Sequence, residues 1–468
     1  MSAARAHPND GSGEYADQLG TERELSSLPA VDTSKEAWAY VAAAFVMEML
    51  LWGPIFASAV YLKHYAALPQ FASSSETQIA FVGTLPILFG YSLGLPLLYF
   101  YNHFPRAMKP SIWVGLALFT VSMLAASFVS NMKLLILFQG VGPGIAAALV
   151  AFPIIRWLPD WFDLRKGTAG GIIFAGGGVG GVYMPFLEEA LINHLGYKWS
   201  LRITAILTAV LGGVAIFFVN PRVPISPRAH VVRMPMPPFF DTFMRWGFFG
   251  TFFCCLLQGF GYFNVGLFLP RFSDSLGGAA GAGLLAAFNV SCIGAQLIWG
   301  LITDKMRPAQ AMAISSVLGT ILTLTFWGIG GSKGISLLAP FAILFGLATG
   351  GFTSMWFQSA HDIAGPDQGR QSLLSVGWSL ARGVGGIVGP SVGSALYRLP
   401  TSPSNRWGSA GSPGLVGLVA ASLAASAIVV LLFRYASDVS KYISKLVGKG
   451  KEGVSGEGHG MEMGVVTR

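Results

Sequence analysis

Charge is the scarcest property of this 468-residue sequence, in which only 11% of the residues are Asp, Glu, Lys or Arg. That fraction is less than half of the roughly 25% found in typical soluble domains. A soluble protein of this length needs a charged surface that the composition does not supply. Apolar residues make up 53% of the chain, and its mean hydropathy is +0.58. Because a spanning helix takes about 20 apolar residues, the composition predicts a protein that crosses the membrane many times.

Cysteine and catalytic motifs are also scarce. The three cysteines, Cys254, Cys255 and Cys292, lie inside apolar stretches, so they do not form a disulfide framework. The chain contains no C-x-x-C or H-E-x-x-H metal motif, no G-x-S-x-G nucleophile motif and no Walker loop. We therefore expect a protein that is not an enzyme, with no catalytic residues, bound metal or cofactor, and we exclude a pump driven by ATP.

Apolar stretches long enough to span a membrane fall into two groups of six. They cover residues 37–62, 79–100, 111–130, 134–155, 167–192 and 200–219, and then 246–269, 283–303, 310–330, 335–358, 372–397 and 414–433. We predict an all-α membrane protein of twelve transmembrane helices, arranged as two six-helix halves over residues 37–219 and 246–433.

The rest of the chain consists of two tails and a central linker. Residues 1–36 are polar and lack the features of a cleaved signal peptide, so we predict a disordered tail. Residues 220–245 contain six prolines and four arginines, which prevent a continuous helix and predict a linker. Residues 434–468 are rich in Gly and Lys and are expected to form the second tail.

The distribution of basic residues predicts the orientation. If both termini are cytoplasmic, the cytoplasmic segments carry about three times as many Lys and Arg residues as the outer loops. This bias accounts for the net charge of +8 without a nucleic-acid partner, because no basic cluster is interleaved with exposed aromatic residues. We expect a multi-pass, monomeric protein of the plasma membrane with both termini in the cytoplasm.

An internal repeat relates the two groups of spans. Residues 159–181 read PDWFDLRKGTAGGIIFAGGGVGG, and residues 366–386 read PDQGRQSLLSVGWSLARGVGG. Both begin with PD, continue through basic and small residues, and end with GVGG. Aligning the two GVGG runs places Arg382 opposite Gly177. Repeated halves of six spans are typical of transporters that move the halves around a site near the bilayer midplane.

The first of these segments resembles a family signature. Residues 161–181 resemble the fifth-span signature of the monocarboxylate porter family within the major facilitator superfamily. Trp161 and Phe162 match its aromatic pair, and Arg165 and Lys166 match its basic pair. Its small-residue positions are matched by Ala169, Gly171, Ala175, Gly176, Gly178 and Gly180. A loop motif of the superfamily is also matched in the second half by GLITDKMR, residues 300–307.

The resemblance implies a major facilitator fold and secondary active transport of a small organic solute. Lactate carriers of this family carry an Asp and an Arg in the eighth span, whereas this chain has Ala295 and Gln296 there, which argues against lactate-like uptake. The chain resembles the fungal members of the family, which include exporters of secondary metabolites. We therefore expect efflux of an acidic secondary metabolite, driven by a proton gradient or by the solute's own gradient.

Three alternatives are considered beside efflux. Proton-coupled uptake of a monocarboxylate uses the same architecture. A nutrient sensor keeps the transporter fold without transporting, but such sensors usually carry long signalling tails, and the tails here have only about 35 residues. An integral-membrane enzyme needs convergent His or acidic residues within the spans, and only Glu48 and Arg382 lie deep.

Glu48 and Arg382 are the charged residues expected near the bilayer centre, about 15–17 Å deep at 1.5 Å per residue. Buried charges in spans mark functional sites by default. We expect Arg382 to bind an anionic group of the substrate and Glu48 to exchange a proton. The alternatives are a structural ion pair between helices, or a protonated Glu48 that is simply hydrogen-bonded.

Polar side chains within the spans are candidates for completing the substrate site; a hydrogen bond between helices is the alternative for each. They are Tyr91, Gln139, Gln258, Asn264, Asn289, Gln296, Trp356 and Gln358.

Charged residues at the ends of spans have other expected roles. Asp304, Arg307 and Arg165 are candidates for a charged gate at the cytoplasmic mouth, with membrane anchoring as the alternative for the two arginines. Glu188 lies near the outer interface and is expected to be solvated among lipid headgroups. The glycine run from Gly177 to Gly181 and its neighbours should let helices approach closely.

Overall fold

The computed structural model describes residues 28–223, 242–244, 246–275, 281–329, 335–397, 407 and 413–456. Every regular element in these ranges is helical, which confirms the predicted all-α fold. Within the same ranges, nine helical segments are long and apolar enough to cross a membrane, and a bent pair raises the number to ten. The other two predicted spans correspond to a short apolar helix and to a helix rich in polar and small residues.

The first half comprises residues 28–223. Its helices are α1 (Lys35–Phe56), α2 (Ser58–Ala67), α3 (Glu76–Ser92), α4 (Gly94–His103), α5 (Met108–Ala126), α6 (Met132–Leu135), α7 (Gly142–Trp161), α8 (Lys166–Leu195) and α9 (Tyr197–Ile216). Three of the six predicted spans are interrupted. The first breaks between α1 and α2, the second bends by 41° between α3 and α4, and the fourth contains a π-helical turn between α6 and α7.

The second half comprises the described residues from 242 to 456. Its helices are α10 (Trp246–Ser275), α11 (Gly281–Thr303), α12 (Pro308–Leu322), α13 (Ile335–Thr349), α14 (Met355–Ala364), α15 (Gln368–Leu396) and α16 (Pro413–Gly456). α13 has only 15 residues, and residues 350–354 separate it from α14. α15 contains Arg370, Arg382 and many Ser and Gly residues, and its segment 371–379 is buried by other helices rather than facing lipid.

Glycine allows equivalent helix pairs to pack closely in the two halves. In the first half, a Cβ atom on Gly180 would lie 2.4 Å from the Met49 carbonyl oxygen. In the second half, a Cβ atom on Gly385 would lie 2.2 Å from the Leu256 carbonyl oxygen. Both distances are too short for any larger residue. The run from Gly177 to Gly181 therefore allows the close helix approach predicted for it, and the two GVGG runs occupy equivalent positions.

Residues 28–36 of the N-terminal tail are ordered, unlike the disorder predicted for them, and the rest of that tail lies outside the described residues. The Asp32 carboxylate accepts hydrogen bonds from the backbone N–H groups of Asp163, Leu164 and Arg165 at 3.0–3.1 Å. The Arg222 side chain also donates to the Pro29 carbonyl oxygen at 2.8 Å. A short polar segment can be ordered in this way because loop 162–165 exposes backbone donors that need acceptors.

The described part of the predicted second tail is helical. α16 continues beyond residue 433 as far as Gly456, and its Arg434 pairs with Asp362 of α14. The rest of the predicted tails and linker, at residues 1–27, 224–241, 245 and 457–468, lies outside the described residues.

One end of the bundle collects many basic loop residues, and we call it the basic end. It contains the loop before α8 and the loop after α11, which meet where the two halves touch. Its basic residues include Arg165, Lys166, Lys305, Arg307 and Arg434.

Candidate functional site

Arg382 of α15 lies in the interior of the bundle, with only 3% of its surface exposed. Its guanidinium donates a hydrogen bond to the side-chain oxygen of Gln258 on α10. The guanidinium carbon lies 5.0, 5.4 and 5.9 Å from the ring centres of Tyr262, Phe263 and Phe352. Its Nε atom has no hydrogen-bond partner. Among the described residues no carboxylate pairs with this cation, so the Gln258 amide, the Tyr91 side chain and three ring faces are its main compensation.

Glu48 of α1 is also buried, with 4% of its surface exposed. In the described part of the chain, its carboxyl group makes no ion pair with Arg382, so the alternative of a structural ion pair is not seen. Tyr91 of α3 interacts with both groups: its side chain hydrogen-bonds with Arg382, and the charge of Glu48 acts on it. Glu48 and Tyr91 belong to the first half and Arg382 to the second, so the two halves meet here.

Gln296 and Trp356 lie in the second half, near the segment that separates α13 from α14. The Gln296 amide donates to the Gly350 carbonyl oxygen at 2.9 Å and exchanges hydrogen bonds with Thr353 at 2.8 and 3.1 Å. The Trp356 indole nitrogen is buried near the Cys255 thiol, a weak acceptor, and forms no other hydrogen bond. The Trp356 ring also contacts Phe174 of the first half, with ring centres 6.4 Å apart.

Other predicted site residues lie apart from Arg382. Gln139 accepts a hydrogen bond from the Tyr65 hydroxyl at 2.6 Å inside the first half. Asn264 donates to the Phe260 carbonyl oxygen of its own helix at 2.7 Å and packs against Gly393, about 16 Å along α15 from Arg382. Asn289 is half-buried in α11, and the side-chain oxygen of Gln358 in α14 is buried without a hydrogen-bond partner. The structure therefore brings only Gln258 and Tyr91 of the predicted set to Arg382.

Asp304 links the two halves at the basic end. This residue follows α11 in the second half, and its carboxylate accepts from the backbone N–H groups of Gly167 and Thr168 at 2.8 and 2.9 Å. It also accepts a hydrogen bond from the Thr168 hydroxyl group. Asp304 thus caps the N-terminus of α8 in the other half, where the helix presents free N–H groups and a partial positive charge.

Arg165 and Arg307, the other predicted gate residues, form no ion pair between the halves in the described structure. Arg165 is exposed, and its backbone N–H binds Asp32 of its own half. Arg307 is also exposed and pairs at 3.6 Å with Asp438 of its own half.

Sequence reasoning missed a second contact between the halves at the basic end. Lys166 is buried, pairs with Asp163 at 2.7 Å, and directs its ammonium group at Nδ1 of His361 in α14 at 3.1 Å. The hydrogen bond from Lys166 lowers the pKa of Asp163. Burial, and then the charge of Lys166, lower the pKa of His361. The basic pair at 165 and 166 was a signal, but the position of His361 depends on tertiary packing.

Glu188 is buried, which corrects the expectation that it is solvated among lipid headgroups. None of its surface is exposed, and it accepts hydrogen bonds from the hydroxyl groups of Tyr61, Ser200 and Thr204. These donors come from α2 and α9, so Glu188 ties three helices together. Ser200 and Thr204 lie one helical turn apart, and this pattern was the available sequence signal.

No three His, Cys, Asp or Glu side chains of the described chain come together as the ligands of a metal ion do.

Comparison with known proteins gives consistent matches. Residues 37–390 match the model of the Major Facilitator Superfamily. The MFS-type transporter pynF of Aspergillus niger is 25% identical over 87% of this chain and 90% of its own length. The Aspyridones efflux protein apdF of Emericella nidulans is 25% identical over 79% of this chain and 74% of its own length. The Fujikurins efflux protein of Gibberella fujikuroi is 28% identical over 69% of this chain and 68% of its own length.

Proposed function

This chain belongs to the Major Facilitator Superfamily, and from that premise we propose that it exports an acidic secondary metabolite from the cell. The superfamily and the transporter names of the relatives identify a multi-pass membrane transporter of small organic solutes, not an enzyme. Two of the relatives are named as efflux proteins for aspyridones and for fujikurins. We place this chain, more narrowly, with the monocarboxylate porters, on the strength of residues 161–181.

The proposal of an acidic substrate rests on Arg382, which forms no ion pair with a carboxylate in the described structure. A guanidinium group stays charged at any physiological pH, and a buried charge without a counterion is costly. In this structure Gln258, the Tyr91 side chain and aromatic rings supply the compensation, and the Nε atom still lacks a partner. An anionic group of the substrate provides the missing charge and an acceptor for Nε, so binding relieves a cost that the empty site carries.

Glu48 is the proposed proton-exchanging group. It lies on the opposite half from Arg382 and interacts with the same tyrosine, Tyr91. An anion bound at Arg382 disfavours a second negative charge nearby, so Glu48 takes up a proton when the substrate is present. Proton and substrate are then carried in the same direction, so export is driven by the solute's own outward gradient.

The basic end is proposed to face the cytoplasm, by the positive-inside rule. The Asp304 cap and the contact between Lys166 and His361 then form the inner gate, because each joins one half to the other there. In the plasma membrane, opening these contacts admits the substrate from the cytoplasm. The chain is proposed to act as a monomer, because the repeat already supplies both halves.

The test is untargeted metabolomics of cells that lack the protein. We expect an acidic metabolite to accumulate inside these cells. Re-expression of the parent chain should clear it, whereas Arg382→Gln should not. Arg202→Gln is the matched control, because Arg202 is also an arginine within a span but packs on Phe128 and Trp199 at 4.5 and 5.0 Å, and it should clear the metabolite.

Other outcomes identify the alternatives. Loss of growth on an organic acid, with no accumulation inside, would indicate uptake. Unchanged metabolites together with altered gene expression would indicate a sensor. Full clearance by Arg382→Gln at equal surface expression would refute the role of this arginine.

A further inference from the structure

Trp52 and Arg382 occupy corresponding places in the two halves. Gly180 and Gly385 are equivalent, because each packs on a backbone carbonyl oxygen of the first helix of its own half. Three residues before Gly180 is Gly177, which faces Trp52 of α1, with 3.5 Å between its ideal Cβ position and the Trp52 Cβ atom.

The second half reverses this arrangement. Three residues before Gly385 is Arg382 itself, and it packs on Gly259 of α10; an ideal Cβ on Gly259 would lie 3.4 Å from the Arg382 Cα and Cγ atoms. In each half, therefore, glycine on one helix makes room for a large side chain on its neighbour. The first half places an aromatic ring there, and the second half places a cation.

Tyr91 connects the ring and the cation. Its ring centre lies 5.2 Å from that of Trp52, its hydroxyl interacts with Arg382, and its Cβ atom is 2.8 Å from the ideal Cβ position of Gly383. Trp52 and Arg382 are 7% and 3% exposed, so both side chains lie in the protein interior. At the contact between the halves, Trp52, Tyr91 and Arg382 thus form a row that runs from an indole ring to a guanidinium group.

The surroundings of the cation are aromatic as well. Tyr262, Phe263 and Phe352 present their rings to Arg382 at 5.0–5.9 Å, and Phe56 stacks on Trp52 at 5.8 Å. Aromatic faces favour a planar conjugated group over a saturated one of equal size, through offset stacking and edge-to-face contacts. Aliphatic walls would show no such preference.

From this geometry we propose that the substrate is a planar, conjugated organic acid, with its acidic group at Arg382 and its ring system against Trp52 and Tyr91. This rests on the proposed function, whose anion site it shares, and adds the chemical class of the rest of the molecule. A planar substrate that contacts both Trp52 and Arg382 touches both halves at once. A substrate that couples the movement of the two halves must do so.

The test compares two acids that differ only in conjugation. The probes are 2-naphthoate and its saturated counterpart, decahydro-2-naphthoate, whose affinities for the purified full-length chain in lipid nanodiscs are measured by titration calorimetry. The saturated acid is the more hydrophobic, so a site that senses only apolar area binds it at least as tightly. We expect 2-naphthoate to bind about three- to tenfold more tightly, from one or two ring contacts.

Variants locate the preference. Trp52→Leu should abolish the preference, because it should weaken binding of 2-naphthoate more than binding of the saturated acid. Tyr262→Phe should retain it, because the ring remains, and Tyr262→Leu should reduce it. Phe253→Leu is the control, because Phe253 lies on the same helix as Tyr262 but has 40% of its surface exposed.

Each outcome decides the proposal. Tighter binding of 2-naphthoate that depends on Trp52 supports it. Equal binding of the two acids, with both lost in Arg382→Gln, overturns the planar class but leaves the proposed anion site intact. Tighter binding of the saturated acid also overturns it. Binding of neither acid overturns both this inference and the anion site on which it rests.

Discussion

The contact between Asp304 and the start of α8 gives the sharpest test of the gate. Replacing Asp304 by Asn keeps the size of the side chain but removes its charge. The carboxylate now accepts with one oxygen from Gly167 and with the other from Thr168, whereas an amide has one accepting oxygen. Asp304→Asn should therefore shift the equilibrium at the basic end from closed to open, without unfolding either half.

The size of the shift follows from these bonds. Hydrogen bonds to charged groups contribute about 1.5–3 kcal/mol, against about 0.5–1.5 for neutral ones. The interaction with the helix N-terminus adds about 0.3–1 kcal/mol. Because Asp304 is partly exposed, we take the lower part of this range, a loss of about 2 kcal/mol in favour of the open state, which is about a 30-fold change in the ratio of the two states.

The assay is a distance measurement between spin labels at Leu164 and Lys305, two exposed positions of the two halves at the basic end. The populations of short and long distances between the two labels report the closed and open states of the basic end. The matched control is Asp438→Asn, because Asp438 pairs with Arg307 inside the second half and should leave both populations unchanged. If Asp304→Asn gives the parent's populations, or if both variants shift them equally, the cap does not hold the gate.

Three further predictions concern the described packing. In the same spin-label assay, acidification below the ordinary His pKa of about 6.5 should favour the open state. The reason is that the pKa of His361 is lowered in the closed state and its protonated ring cannot accept a hydrogen bond from Lys166. His361→Asn should remove this pH dependence. Gly176→Ala should lower the thermal unfolding temperature, because the new Cβ would lie 2.2 Å from a backbone oxygen, whereas Gly213→Ala meets no atom within 4 Å and should not lower it. Glu188→Ala should destabilise the chain by about 1–3 kcal/mol for each buried hydroxyl group left without a partner, and Glu188→Gln should destabilise it by less. Equal unfolding temperatures of Glu188→Ala and the parent chain in detergent would contradict the buried network.

The sequence predicted the features that depend on local composition and spacing. Apolar stretches about 20 residues long specify spanning helices, because every backbone polar group in lipid must be paired within its own helix. The glycine run ending at Gly181 predicted close helix contacts, because a residue without a side chain lets a neighbouring backbone approach its own. Glu48 and Arg382, which the sequence places within spans, are both buried inside the bundle.

Only the tertiary structure decided which side chains meet. Glu188 was expected among lipid headgroups, but hydroxyl groups from two other helices enclose it. Gln139 and Arg382 both lie within spans, yet separate helices bury them in different parts of the bundle. The physical reason is that a helix's sequence specifies its length and its apolar surface, whereas the partner of a buried polar group depends on rotation and packing against helices distant in the chain.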